Sequence, residues 1–129
     1  MKMHIQPDKQ RANALLISAQ TTLSRLNTTD ILKYASNSLK DYYDIIHYLL
    51  EALALSRGIR FKGEGSHKEL IDEVCHLFNR SESDKNFLQE LREYRNRISY
   101  EGFMVNRNYI ELNKEKIQDI IRHLFELCK

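Results

Sequence analysis

Leu39-Lys40-Asp41-Tyr42-Tyr43-Asp44-Ile45-Ile46-His47-Tyr48-Leu49-Leu50-Glu51-Ala52-Leu53-Ala54-Leu55 reads as the body of one long helix. Leu32, Ala35, Leu39, Tyr43, Ile46, Leu50 and Leu53 fall on one face at helical spacing, while Tyr34, Ile45 and Tyr48 lie on nearly the opposite side. A helix that is apolar on two sides needs neighbours on both, which places it at the centre of a bundle and leaves room for a second subunit as one neighbour. The run Asn27-Thr28-Thr29-Asp30 offers several N-caps for it, and Arg57-Gly58 stops it after about Ser56.

The flanking segments are helical too. Upstream, residues 1–7 read as a flexible tail, and a first helix begins after Pro7 and Asp8, carries Ala12, Leu15, Leu16, Ala19, Leu23 and Leu26 as a single apolar stripe, and ends near Asn27. Downstream, Ser66-His67-Lys68-Glu69 has the capping-box pattern, Ser followed three residues later by Glu, and opens a third helix with Leu70, Ile71, Val74, Cys75 and Phe78 on its buried face. A fourth runs from about Asp84 to Tyr100, with Gly102 as its stop. A fifth, entered at Asn113 or slightly earlier at Tyr109, carries Ile117, Ile120, Ile121, Leu124, Phe125 and Leu127. No β-branched run alternates with polar residues. The expected fold is a single all-α domain spanning 1–129, an antiparallel bundle of about five helices.

Composition agrees with this. Apolar residues make up 42% and charged residues 29%, with one Pro and four Gly, a globular balance poor in turn formers. Twenty basic against eighteen acidic residues leave +2, too little for a general electrostatic attraction to nucleic acid, so any such contact needs a local patch. Cys75 and Cys128 have neither metal-ligand nor framework spacing and read as buried free thiols. No apolar run approaches the roughly 20 residues of a membrane span, and the start MKMHIQPDKQ has no apolar leader core. A cytoplasmic protein without membrane contact or cofactor is expected.

Few residues suggest chemistry. The loop Gly58 to Gly65 enters a helix, as phosphate cradles do, but it lacks the P-loop spacing and follows a helix instead of a strand, so it reads as a connector with a cap. His67, at its end, reads as a surface or interface residue. His4, His47, His67, His76 and His123 contain no pair at i, i+3 or i, i+4, so no metal site is expected. The fourth helix differs. Its core face is Phe87, Leu88, Leu91, Tyr94 and Ile98, and at about 100° per residue Arg95 lies between the directions of Leu88 and Leu91.

A guanidinium aimed at the packed side needs an anionic partner. Asp41 on the second helix is the acid chosen for it, with Asp44 and Asn37 as neighbouring alternatives. Two readings follow: a structural ion pair that sets helix register, or an arginine held by an acid so that it meets a phosphate. Arg92 and Ser99 flank Arg95 at i−3 and i+4, Asn96 adjoins it and Tyr100 closes the helix, while Arg97 points elsewhere and pairs with Glu93.

The segment Arg95-Asn96-Arg97-Ile98-Ser99-Tyr100-Glu101-Gly102 resembles the signature of HEPN domains, in which an Arg, commonly followed by Asn, precedes a His by a few residues near the end of a late helix. The long second helix, the Gly58 turn with Gly63 to Ile71, and a last helix rich in Ile and Lys are also similar to small prokaryotic and archaeal members. The resemblance covers roughly residues 10–128, and only the Arg-Asn segment is specific. It implies a homodimer with the signature helices meeting. It also implies either a metal-independent ribonuclease, often a toxin of a toxin–antitoxin pair, or a helical partner of a minimal nucleotidyltransferase.

By that resemblance Arg95, Asn96 and Tyr100 are the catalytic candidates, Arg92 and Ser99 the RNA- or nucleotide-binding ones, and Asp41 the supporting acid. Tyr100 stands where the family has its histidine. An imidazole changes charge near neutral pH and a phenol only in alkaline solution, so a tyrosine there supplies a hydrogen bond and is a poor general base.

Overall fold

The computed structural model describes all of residues 1–129. Five helices, α1 (Lys9–Leu26), α2 (Ala35–Ser56), α3 (Ser66–Leu77), α4 (Glu82–Glu101) and α5 (Arg107–Leu127), form an all-α bundle, with two short strands, β1 (Lys2–His4) and β2 (Ile59–Phe61), at one edge. α2 is the axis: it packs against α1, α3, α4, α5 and β2. Its two-sided pattern is the reason. Leu39, Tyr43, Ile46 and Leu50 are buried on one side and Ile45 on the other, and Ile45, Ile46 and Leu49 have no exposed surface at all. Each such side chain contributes roughly 1.5–3 kcal/mol by leaving water. Tyr34, at the foot of the second stripe, stays exposed.

α1 lies antiparallel to α2, pinned at both ends: Arg11 approaches Glu51 to 3.7 Å and Arg25 approaches Asp41 to 2.6 Å. The helix starts depart from expectation in instructive ways. Asp8 caps α1 through the Arg11 amide as its sequence position implies. The Asn27–Asp30 run, expected to open α2, instead closes α1. Thr28 and Thr29 each turn a hydroxyl back onto the Arg25 carbonyl, Asp30 accepts from the Lys33 amide, and α2 starts at Ala35.

The Ser66 capping box does not form either. Gly65, with φ +77°, precedes α3, and Ser66 is already its first helical residue. Glu69, the acid of the box, accepts a hydrogen bond from the Met1 ammonium at 3.0 Å instead. α4 is capped by Ser81, which accepts from the Asp84 amide, and ends at Gly102 in the left-handed conformation. α5 begins at Arg107, earlier than expected, because Asn106 caps it through the Asn108 amide.

Residues 1–7 are not a loose tail. Lys2, Met3 and His4 pair antiparallel with Phe61, Arg60 and Ile59, the Ile5 amide donates to the Gly58 carbonyl at 2.8 Å, and Lys2 reaches Glu73 of α3 at 2.7 Å. This strap holds the Gly58–Gly65 connector against the bundle, directly ahead of α3. Cys75 and Cys128 are both free thiols, the first buried and the second half-buried. No helix is long and apolar enough to cross a membrane.

Candidate functional site

α4 carries its chemistry on one stripe. Arg92, Arg95, Asn96 and Tyr100 recur at helical spacing and form one wall of an open cleft of about 490 Å³, whose other wall is the Gly63–Lys68 segment with the first turn of α3. Gln89 fixes the two walls relative to each other: its side-chain amide donates to the Lys68 carbonyl at 3.1 Å and to Asp72 at 3.0 Å, and its oxygen accepts from Arg92 Nε at 2.8 Å. Arg92 is thereby held within the cleft wall. Its guanidinium also lies 3.7 Å from Glu93.

Arg95 is three-quarters buried, at 23% side-chain exposure, and its charge faces Asp44, with Nε 3.7 Å from Oδ1. That separation is a Coulombic contact and too long for a hydrogen bond. Nε is buried without an acceptor, and an unsatisfied buried donor on a charged group is costly. The supporting acid is therefore Asp44, and the choice of Asp41 is corrected: three residues earlier on α2, Asp41 turns toward α1 and is occupied by Arg25. Burial raises the Asp44 carboxyl above the usual carboxylate range, and Arg95 pulls it back down.

Tyr100 is 78% exposed at the mouth of the cleft, and Asn96 is half-buried beside Arg95. Ser99 is exposed and does not line the cleft. Arg97 does not pair with Glu93; its guanidinium sits 4.0 Å from the centre of the Phe103 ring, and this cation–π contact ties the α4 end to the following loop.

His67, read from sequence as a surface or interface residue, is brought into the site. Its ring stacks on that of His47 with centroids 4.1 Å apart and planes at 24°. His47 in turn lies 3.2 Å from Glu51, one turn further along α2, and the hydrogen bond from His47 holds the Glu51 carboxyl below its ordinary value. His67 lines the cleft on one side and a smaller cavity of about 190 Å³ on the other. Burial, then the neighbouring His47 and Arg95, lower the His67 imidazole to about 4, with Glu51 acting in the opposite direction. At neutral pH His67 is uncharged and one ring nitrogen is a free acceptor.

Sequence alone located Arg92, Arg95, Asn96 and Tyr100, which the fold gathers on one wall, and missed His67. One readable signal was the i, i+4 pair His47 and Glu51 on the two-sided helix, which marks a polar interruption opposite α3. The cleft thus combines three cations, Lys68, Arg92 and Arg95, with an amide, a phenol and one uncharged imidazole, against Glu64 and Asp44. Such a set can hold a phosphate group and accept a proton beside it. No group of three or more His, Cys, Asp or Glu side chains is gathered as a metal would need. No protein-family model, curated protein or solved structure matches the chain.

Proposed function

We propose that the protein is a HEPN-like helical module that binds the phosphate of an RNA or nucleotide in the cleft around Arg95. The observation that carries this is the state of Arg95: a largely buried guanidinium whose Nε has no acceptor and whose acid stands 3.7 Å off, on a wall shared with Arg92 and opposite Lys68. A purely structural ion pair closes to hydrogen-bond distance, as Arg25 does on Asp41 at 2.6 Å. A phosphate oxygen entering the cleft would satisfy Nε and offset the local positive charge.

The test is fluorescence anisotropy with a labelled single-stranded RNA, wild type against Arg95→Ala and Asp41→Asn, with circular dichroism to check folding. Losing one charge-assisted contact of about 1.5–3 kcal/mol weakens binding roughly 10- to 100-fold in Arg95→Ala and lowers the slope of log K against log salt by about 0.7. Asp41→Asn leaves both unchanged. Equal binding by wild type and Arg95→Ala removes the proposal.

The homodimer and the nucleotidyltransferase partner belong to the same reading and rest on the likeness of the Arg95–Gly102 segment. Exposed Tyr100 and Met104 at the end of α4 suit a second copy across this face, and a monomer by light scattering at tens of micromolar, where a moderately tight dimer would populate, would exclude it. The alternative, a metal-independent endoribonuclease acting through Arg95, Asn96 and Tyr100, gains support from the imidazole that lines the same cleft.

A further inference from the structure

The cleft places a proton acceptor beside its phosphate-binding cations, and that acceptor comes from α3 and not from the α4 segment that carries the arginines. We propose that His67 is the general base of this cleft, accepting the proton of a ribose 2′-hydroxyl whose adjacent phosphodiester is held by Arg92 and Arg95, with His47 and Glu51 as its positioning residues. The proposal rests on the phosphate-binding reading given above. It adds a reaction, a substrate class and a residue.

Three observations carry it. His67 shares the cleft with Arg92, Arg95, Asn96 and Tyr100, so an acceptor and the cations that would steady phosphate oxygens border one volume. Its ring is oriented from behind by the stacked His47, which Glu51 fixes at 3.2 Å, and a base held by two further side chains is pre-organised in the way proton transfer requires. Tyr100, the other titratable group on α4 that borders the cleft, is a phenol at its exposed mouth.

The groups facing His67 also explain when it becomes basic. From α2 it meets Tyr43, His47 and Glu51, from α4 Arg92 and Arg95, and from β2 and its own loop Arg60, Glu64 and Lys68. With the cleft empty the cations prevail and the ring is a weak base. A phosphodiester brings a negative charge into that field, and an opposite charge nearby moves a titration point by about one to three units, here upward toward neutrality. The substrate thereby activates the group that acts on it.

The step balances without a co-reactant. The 2′-oxygen forms a bond to phosphorus as its proton passes to a His67 ring nitrogen. The bond from phosphorus to the 5′-oxygen of the next nucleotide breaks, and that oxygen keeps the electron pair and takes a proton from water. The products are a 2′,3′-cyclic phosphodiester and a free 5′-hydroxyl, and His67 returns its proton to solvent.

The experiment uses the full chain with a labelled RNA and its 2′-O-methyl analogue in chelator, following binding by anisotropy and cleavage on gels from pH 5 to 8. The expected result is that both are bound and only the RNA is cut. His67→Gln should keep binding within about threefold and lose about 10²- to 10⁴-fold in cleavage rate, the usual share of a general base. His67→Ala should regain cleavage with added imidazole. Glu51→Gln, by removing the one acid that raises His67, should move the acidic limb of the pH–rate profile to lower pH, which loss of structure alone would not do. Binding without cleavage by wild type at every pH, or undiminished cleavage by folded His67→Gln, overturns the proposal and leaves the binding reading standing. Absence of binding by wild type removes both.

Discussion

Gly58→Ala tests the strap that holds the site loop in place. Gly58 has φ +74°, and a Cβ there would stand 2.5 Å from the backbone carbonyl oxygen of Ile5, well inside contact. Gly102 has a similar φ of +67° with nothing within 4 Å, so Gly102→Ala measures the left-handed penalty alone. That penalty is about 1–2 kcal/mol, reduced by about 0.4–1 kcal/mol because alanine restricts the unfolded chain, for a net loss near 1 kcal/mol. In Gly58→Ala the oxygen belongs to backbone and cannot swing aside, so the 2.8 Å hydrogen bond from the Ile5 amide to the Gly58 carbonyl is broken at a further cost of about 1 kcal/mol, with misfit in the β1–β2 pairing added to it. A total of about 2–4 kcal/mol is expected. Urea denaturation of wild type and both variants reads the difference as a shift in midpoint at constant slope. RNA binding should weaken in Gly58→Ala, since the displaced connector leads to Lys68. Losses for the two variants that agree within about 0.5 kcal/mol would refute the clash argument and the claim that the strap is tightly seated.

Leu49→Ala, which empties a site with no exposed surface at the centre of α2, should cost about 2–5 kcal/mol by the same urea assay. Asp41→Asn should cost under about 1 kcal/mol despite its 2.6 Å contact, because Arg25 is 65% exposed and such pairs are weak. Stability should fall as pH drops from about 6.5 to about 4: His67 is lowered from 6.5 to about 4 on folding, so within that window the unfolded chain binds more protons and acid favours it. His67→Gln should flatten that part of the stability profile; an unaltered slope would mean that the imidazole is not depressed.

The five helices were legible because their apolar stripes are long, and a period of 3.6 over four or more turns has few competitors. Their starts were less so. Ser66 and Glu69 satisfy the capping pattern on paper, yet Glu69 is drawn off by the Met1 ammonium, 68 residues away in sequence. Asn27 to Asp30 had the right residue types to begin a helix and spent them on ending one. β1 was invisible for a related reason: three residues are too few to show alternation, and its partner lies more than fifty residues downstream. Within the site, the α4 stripe followed from spacing on one helix, whereas the meeting of His67 with His47, and of Arg95 with Asp44 in place of Asp41, depends on how α3 and α4 are rotated against α2. A three-residue difference along α2 selects which neighbouring helix an acid faces, and local pattern alone does not fix that rotation.

The second side of α2 holds more than packing. Asp44, His47 and Glu51 occupy successive turns of a helix whose remaining surface is filled by Leu39, Ile46, Leu49 and Leu50. Turning this helix by one residue, about 100°, would carry those three polar groups into apolar contacts and bring leucines to the cleft. Substitutions that alter the cleft from the α2 side therefore act against the centre of the fold, whereas the α4 wall can change with little effect on it. Variation in what the protein recognises is accordingly expected at positions 92, 96 and 100, with the histidine support on α2 held constant.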